Sequence, residues 1–141
     1  MHLNLEHINW LAVGVAGIAT FILGGVWYMA LFGKTWQRLH GYSDEKVKQM
    51  QAAKPPPVFF GTMIASYLVL AAVIAILMST FGIATLSGGI AFGALLWVGP
   101  ALCIGATSWI ASDRHIGVYV IDLSYQLCFL VMIGAILGAW H

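Results

Sequence analysis

Residues 116–140 read IGVYVIDLSYQLCFLVMIGAILGAW, and Asp122 is the one charged side chain in that stretch. A helix needs about 20 mostly apolar residues to cross the hydrocarbon core of a bilayer. The stretch does not alternate polar with apolar residues, as the strands of a membrane β-barrel do. It therefore predicts a transmembrane helix.

Three further apolar stretches precede it, at residues 8–32, 58–80 and 86–111, and none of them holds a charged residue. The 141-residue chain is 61% hydrophobic and 8% charged, and ordinary soluble domains have about 25% charged residues. This composition excludes a soluble domain, a disordered chain and a basic nucleic-acid-binding protein. We predict an all-α, polytopic integral membrane protein. Its four transmembrane helices form one bundle, and residues 1–141 form a single domain with no nucleic-acid partner.

The Lys and Arg residues predict how the chain crosses the membrane. All six lie in residues 33–57 and 112–115, which four crossings place on the same side. Ser43 and the two acids after it are typical of a helix N-terminus, so a short surface helix is expected up to about Ala53. The positive-inside rule assigns both connections to the cytoplasm. We predict a multi-pass membrane protein with a short cytoplasmic surface helix and both termini outside.

Small residues at regular spacing predict where the helices approach each other closely, because lipid supplies no hydrophobic reason for helices to associate. The first stretch has four of them at a spacing of four, and the last stretch ends with two glycines. The predicted helix-packing residues are Ala12, Ala16, Thr20, Gly24, Gly134 and Gly138. Packing within one bundle explains them, and a face for a homo-oligomer or another membrane subunit remains open.

A polar stripe is predicted on the last helix. His115, Tyr119, Asp122 and Gln126 fall at i, i+4, i+7 and i+11, which places them on one helix face. An ionisable residue inside a membrane is costly, so it faces the protein interior. The stripe is either a relay for protons or substrate, or a polar cluster that joins the third and fourth helices to the first.

Catalytic and cofactor signals are weak. The five histidines lie at or beyond the ends of the apolar stretches, and no Ser–His–Asp set, phosphate loop or Cys-x-x-Cys motif is present. We therefore predict no catalytic residue, no cofactor and no metal ion. A lipid-modifying enzyme built on Asp122 and His115 is left open.

Two runs of residues resemble a known family. One is Gly24-Gly25-Val26-Trp27-Tyr28 with Leu31-Phe32-Gly33-Lys34 and Trp36, and the other is Asp122-Leu123-Ser124-Tyr125 with Gly134-Ala135-Ile136-Leu137-Gly138. Together they resemble the small bacterial membrane proteins grouped as domain of unknown function 1761. The resemblance implies a four-helix fold in the bacterial cytoplasmic (inner) membrane and no assigned activity. It also implies an Asn where this chain has Asp122, which argues against a relay common to the family.

The aromatic residues near Gly33 allow two interpretations. In the first, Gly33 is the C-cap of the first helix, and Lys34 and Trp36 anchor it at the membrane interface. In the second, Trp27 and Tyr28 form a site for a lipid or another amphiphile next to the fourth helix. Trp97 is a further candidate for that site, because it lies about 11 residues into the third helix instead of in an interfacial belt.

A bend is predicted in the third helix at Pro100, which removes one backbone hydrogen bond. The bend is either a packing feature or a hinge that lines a cavity.

These observations favour a small, non-catalytic integral membrane protein. We expect it to act through helix–helix contacts, as an oligomer or as an accessory subunit of a membrane complex. Its expected partners are membrane lipid, other copies of the chain or other membrane subunits. The alternative is a small-molecule or proton-coupled transporter or channel that uses the polar stripe.

Overall fold

The computed structural model describes residues 2–141, and every regular element within them is a helix. The elements, in chain order, are α1 (Trp10–Gly25) continued by a π-helical segment (Val26–Leu31), α2 (Gly33–His40), α3 (Asp44–Ala52), α4 (Pro56–Thr80), α5 (Leu86–Leu96) continued by a second π-helical segment (Trp97–Ala101) and α6 (Leu102–Ile110), and α7 (Ile116–Ala139).

Four continuous helices are long and apolar enough to cross a membrane. They are the first span (Trp10–Leu31), the second span (Pro56–Thr80), the third span (Leu86–Ile110) and the fourth span (Ile116–Ala139). For the described residues, the prediction of an all-helical chain with four helices able to cross a membrane is therefore confirmed. Each boundary lies within two residues of the one expected from hydropathy.

Short polar side chains begin several of these helices. Asn9 accepts a hydrogen bond from the backbone N–H of Ala12, and Thr85 accepts one from Gly88. Ser43 accepts one from Lys46 at the start of α3, as its sequence position predicts. Such caps satisfy backbone donors that have no partner in the first helical turn.

The fourth span is the most buried of the four, and the other three pack against it. The third span runs along it most closely, and the first span packs on both the second and the fourth. The second and third spans make little direct contact with each other, which leaves a gap between them beside the fourth span.

The expectation for Gly33 is wrong. It is not a left-handed C-cap, because the residues with positive φ in the described chain are Gly41 and Gly82. The π-helical segment instead ends at Phe32, and Gly33 begins α2. A Cβ atom at Gly33 would collide with the carbonyl oxygen of Tyr28, so glycine is needed for a close approach and not for its φ. Residues 33–57 were predicted to be a loop with one helix, and the structure has two complete helices there, α2 and α3.

Candidate functional site

A hydrogen bond between the first and fourth spans lies at the centre of the polar residues. The Tyr28 hydroxyl donates to Oδ1 of the half-buried Asp122 at 2.6 Å. Tyr28 belongs to the π-helical part of the first span, and its ring meets the ring of Tyr125 edge-on with centroids 5.3 Å apart. Segments of π-helix often occur at functional sites, because the extra residue turns side chains in a new direction.

Tyr125 fills the space that the small residues of the first span leave open. Its hydroxyl donates to the carbonyl of Thr20 at 2.9 Å and lies 3.1 Å from the hydroxyl of Tyr67 in the second span. A Cβ atom at Gly24 would come within 2.7 Å of that hydroxyl. Gly24 is therefore small because a phenol from the fourth span lies against it.

The other small residues of the first span are also used inside the chain. Ala12, Ala16 and Thr20 are completely buried. At the opposite edge of the fourth span, Cβ atoms at Gly134 and Gly138 would collide with backbone carbonyls of Gly89 and Thr85 in and before the third span. All six predicted packing residues thus lie at helix–helix contacts of a single chain.

The predicted polar stripe is divided by the structure. Tyr119, Asp122 and Gln126 line a common cleft, whereas His115 lies exposed before the helix and accepts a hydrogen bond from the N–H of Gly117. Tyr119 donates to the carbonyl of Leu102 in the third span at 3.1 Å. Asp122 and Tyr119 therefore connect the fourth span to the first and the third, as the structural interpretation of the stripe requires.

The cleft has a volume of about 460 Å³ and lies in the gap between the second and third spans. The fourth span forms its base. Most of its walls are apolar, including Leu70 and Leu77 of the second span and Ile104 of the third. Pro100 in the second π-helical segment also lines it, so the segment in which a bend was predicted borders a cavity.

Polar groups are concentrated towards one end of the cleft. Asp122 and Gln126 lie on its base, and Arg114 lies at the end where the fourth span begins. Among residues 2–141 the Gln126 side chain makes no hydrogen bond. The cleft therefore offers apolar walls, one carboxylate, one guanidinium at its end and one amide without a hydrogen-bond partner in these residues.

The two tryptophans of the predicted amphiphile site bond to the fourth span at different positions. The indole N–H of Trp27 donates to the carbonyl of Ile121 at 3.3 Å, and that of Trp97 donates to the carbonyl of Leu123 at 2.8 Å. Two residues correspond to roughly 200° around a helix, so the two indoles attach to opposite faces of the fourth span. Tyr28 lies on the same side of the fourth span as Trp27.

An aromatic cluster that the sequence reasoning missed lies on α2, next to this region. Trp36 and His40 are one turn apart with ring centroids separated by 4.1 Å, and His40 stacks on Tyr42 at 4.8 Å. Burial, and secondarily the charge of Arg114, lowers the pKa of His40 below its usual value of 6.5. The spacing of Trp36 and His40 would have indicated the cluster if α2 had been recognised as a helix.

The contacts of Asp122 are a phenol and an apolar cavity. Among residues 2–141, no three His, Cys, Asp or Glu side chains come together as possible metal ligands. Asp122 meets a phenol and an apolar cavity, and neither is a nucleophile paired with a base. The arrangement is suited to holding an apolar molecule with a polar end.

Comparison with known proteins identifies a family and nothing closer. The family model described as "Protein of unknown function (DUF1761)" matches residues 11–138, nearly the whole chain, which confirms the resemblance seen in the sequence. No curated protein and no solved structure matches.

Proposed function

Because the chain belongs to this family of unknown function, we propose a function from the geometry alone: the protein binds a small amphiphile in the cleft beside the fourth span. Binding would be the recognition step of a non-catalytic small-molecule transporter. This is the alternative that the sequence ranked second, and the cleft is the reason to place it first.

The cleft itself carries the proposal. Its volume of about 460 Å³ lies within the range of 300–1,000 Å³ that is common for small-molecule sites. Such sites are mostly apolar with a few polar groups that fix orientation. Leu70 and Leu77 would contact the apolar part of the amphiphile, while Asp122 and Gln126 would bind its polar end.

The test is to fill the cleft without disturbing the fold. Val73 lines the cleft from the second span and is 47% exposed, so Val73→Trp should occupy the cavity at little cost in stability. Val69→Trp is the matched control, because Val69 is 63% exposed one turn earlier and does not line the cleft. Native mass spectrometry of protein released from micelles that contain dodecanol should show one bound alcohol in the wild type and in Val69→Trp. Loss of binding in both variants, or in neither, would contradict the assignment to this cleft.

Association with other membrane proteins is the second candidate function, as an oligomer or accessory subunit. One face favours it: Gly61 and Ala65 of the second span are exposed, and a Cβ atom at Gly61 would meet nothing within 4 Å. Small residues at a spacing of four are typical of contacts between membrane helices. Gly61→Leu should then reduce the apparent mass in light scattering, whereas Gly25→Leu, at an exposed glycine of the first span, should not.

We further propose that the protein lies in a bacterial inner membrane as a four-helix bundle, with α2 and α3 on the cytoplasmic surface. The support is the distribution of the six Lys and Arg residues, all in residues 33–57 and 112–115. Alkaline phosphatase fused after His141 should be active, and a fluorescent cytoplasmic reporter at the same position should be dark. Equal signals from both reporters would show dual topology.

A further inference from the structure

The charge of the amphiphile follows from the surroundings of Asp122. Resting on the proposed function of the cleft, we infer that the ligand is a lipophilic amine in its cationic form, with Asp122 as the counter-charge. The argument depends on what Asp122 contacts, on what it lacks, and on the shape of the space next to it.

Asp122 has a hydrogen-bond donor but no cation. Its partner is the neutral phenol of Tyr28, which approaches from the first span. Among the hydrogen bonds of residues 2–141, Asp122 has no Lys, Arg or His partner, and His40 interacts with it only through longer-range electrostatics. Buried charges in proteins are normally paired, because removing a carboxylate from water costs much more than one neutral hydrogen bond returns. A cationic ligand would supply the missing partner.

The groups around Asp122 fit an ammonium. The Gln126 amide lies one helical turn further along the same face, and its oxygen can accept a second N–H of the ligand. The rings of Tyr119 and Phe129 also line the cleft, and aromatic faces attract organic cations. The apolar walls of the second and third spans then take the hydrocarbon part of the amine.

The other charge at the cleft is Arg114, and it does not select an anion. Arg114 is exposed and lies in the non-helical connection, two residues before the fourth span begins. Exposed charges are screened over about 8 Å at physiological salt. An anion held by Arg114 would direct its tail past Asp122 and leave that carboxylate unpaired in an apolar cavity. An amine at Asp122 leaves Arg114 in water.

The experiment compares three amphiphiles of one chain length and different charge. Dodecylamine, dodecanol and dodecanoate are titrated against the full-length protein in dodecyl maltoside, and bound ligand is counted by native mass spectrometry. The wild type should bind dodecylamine about tenfold or more tightly than dodecanol, because a hydrogen bond to a charged group is stronger than a neutral one. Dodecanoate should bind most weakly.

Substitutions then assign the preference to a residue. Asp122→Asn keeps an acceptor for Tyr28 and should make dodecylamine and dodecanol bind equally. Asp122→Glu should retain the preference for the amine. Asp113→Asn is the control, since it removes the same charge from an exposed residue outside the cleft and should change nothing.

The outcomes separate the inference from the proposed function. Equal binding of amine and alcohol to the wild type, with both abolished by Val73→Trp, would overturn the cationic ligand and keep the cleft. Tightest binding of dodecanoate would also overturn it, and would assign recognition to Arg114. If all three amphiphiles bind and Val73→Trp changes none of their affinities, the cleft is not the binding site.

Discussion

The contact between the third and fourth spans differs at its two ends. At the glycine end, defined by Gly89 and Gly93 against Leu130 and Gly134, the two backbones touch. At the aromatic end, defined by Trp97 and Trp109 against residues 119–123, side chains lie between the helices. The cleft opens beside the aromatic end.

The difference shows how one helix pair can be both rigid and open. Glycines remove side-chain volume, so the backbones approach until carbonyls and Cα atoms are in contact. At the aromatic end, Trp97 and Tyr119 each occupy space and also donate to a carbonyl of the opposite helix. The helices are thus linked there through side chains, and the gap towards the second span is not closed.

The largest effect is expected at the glycine end. Gly89→Leu places a side chain where the carbonyl of Gly134 lies, and backbone cannot move aside as a flexible side chain can. The loss of stability should exceed the 1–3 kcal/mol that is typical of overpacking. Unfolding in a sodium dodecyl sulfate titration measures it, with Gly25→Leu as the control at an open glycine. Similar curves for the two variants would mean that the glycine end is not a rigid contact.

A smaller effect is expected for Gly24→Leu in the first span. The new side chain would displace the Tyr125 hydroxyl, which then loses its contacts with Thr20 and Tyr67. We expect a loss of about 2–3 kcal/mol, since the obstacle is a side chain that can move. Ile18→Leu, at a residue that is 41% exposed, should leave the melting temperature in detergent nearly unchanged. Equal melting temperatures for the two variants would contradict close packing at Gly24.

The bond between Tyr28 and Asp122 predicts a specific pattern in a double-mutant cycle. Asp122→Leu leaves the Tyr28 hydroxyl without an acceptor and should cost about 1–3 kcal/mol. Asp122→Asn should cost less, because an amide oxygen can accept the same bond. Adding Tyr28→Phe to Asp122→Leu should recover part of the loss, since no polar group is then left unpaired. If the free-energy costs of Asp122→Leu and Tyr28→Phe simply add in the double variant, the bond does not form.

The smallest effects should come from the two indoles that donate to carbonyls of the fourth span. Trp97→Phe removes a 2.8 Å bond and should cost about 0.5–1.5 kcal/mol. Trp27→Phe removes a longer bond of 3.3 Å and should cost less. Chemical denaturation of the two variants shows which one loses more free energy of unfolding. The reverse order would indicate that the aromatic end depends more on the first span than on the third.

The sequence alone determined the class of protein and the positions of its long helices. An uninterrupted apolar run of about 20 residues is a local property, and in a membrane it has one stable backbone form. Residues 116–140 therefore predicted the fourth span to within one residue. The same local reasoning found the Ser43 cap and placed Tyr119, Asp122 and Gln126 on one helix face.

Tertiary structure alone decided what that face meets. The partners Tyr28 and Asp122 are 94 residues apart, so their contact depends on how the first span rotates and bends, which hydropathy does not encode. The same holds for Gly33, whose role comes from the carbonyl of Tyr28 after a π-helical turn. The cleft exists because glycines bring the third span close to the fourth while the second span packs on the first. Such packing depends on side-chain shapes in three dimensions, and a one-dimensional pattern does not specify it.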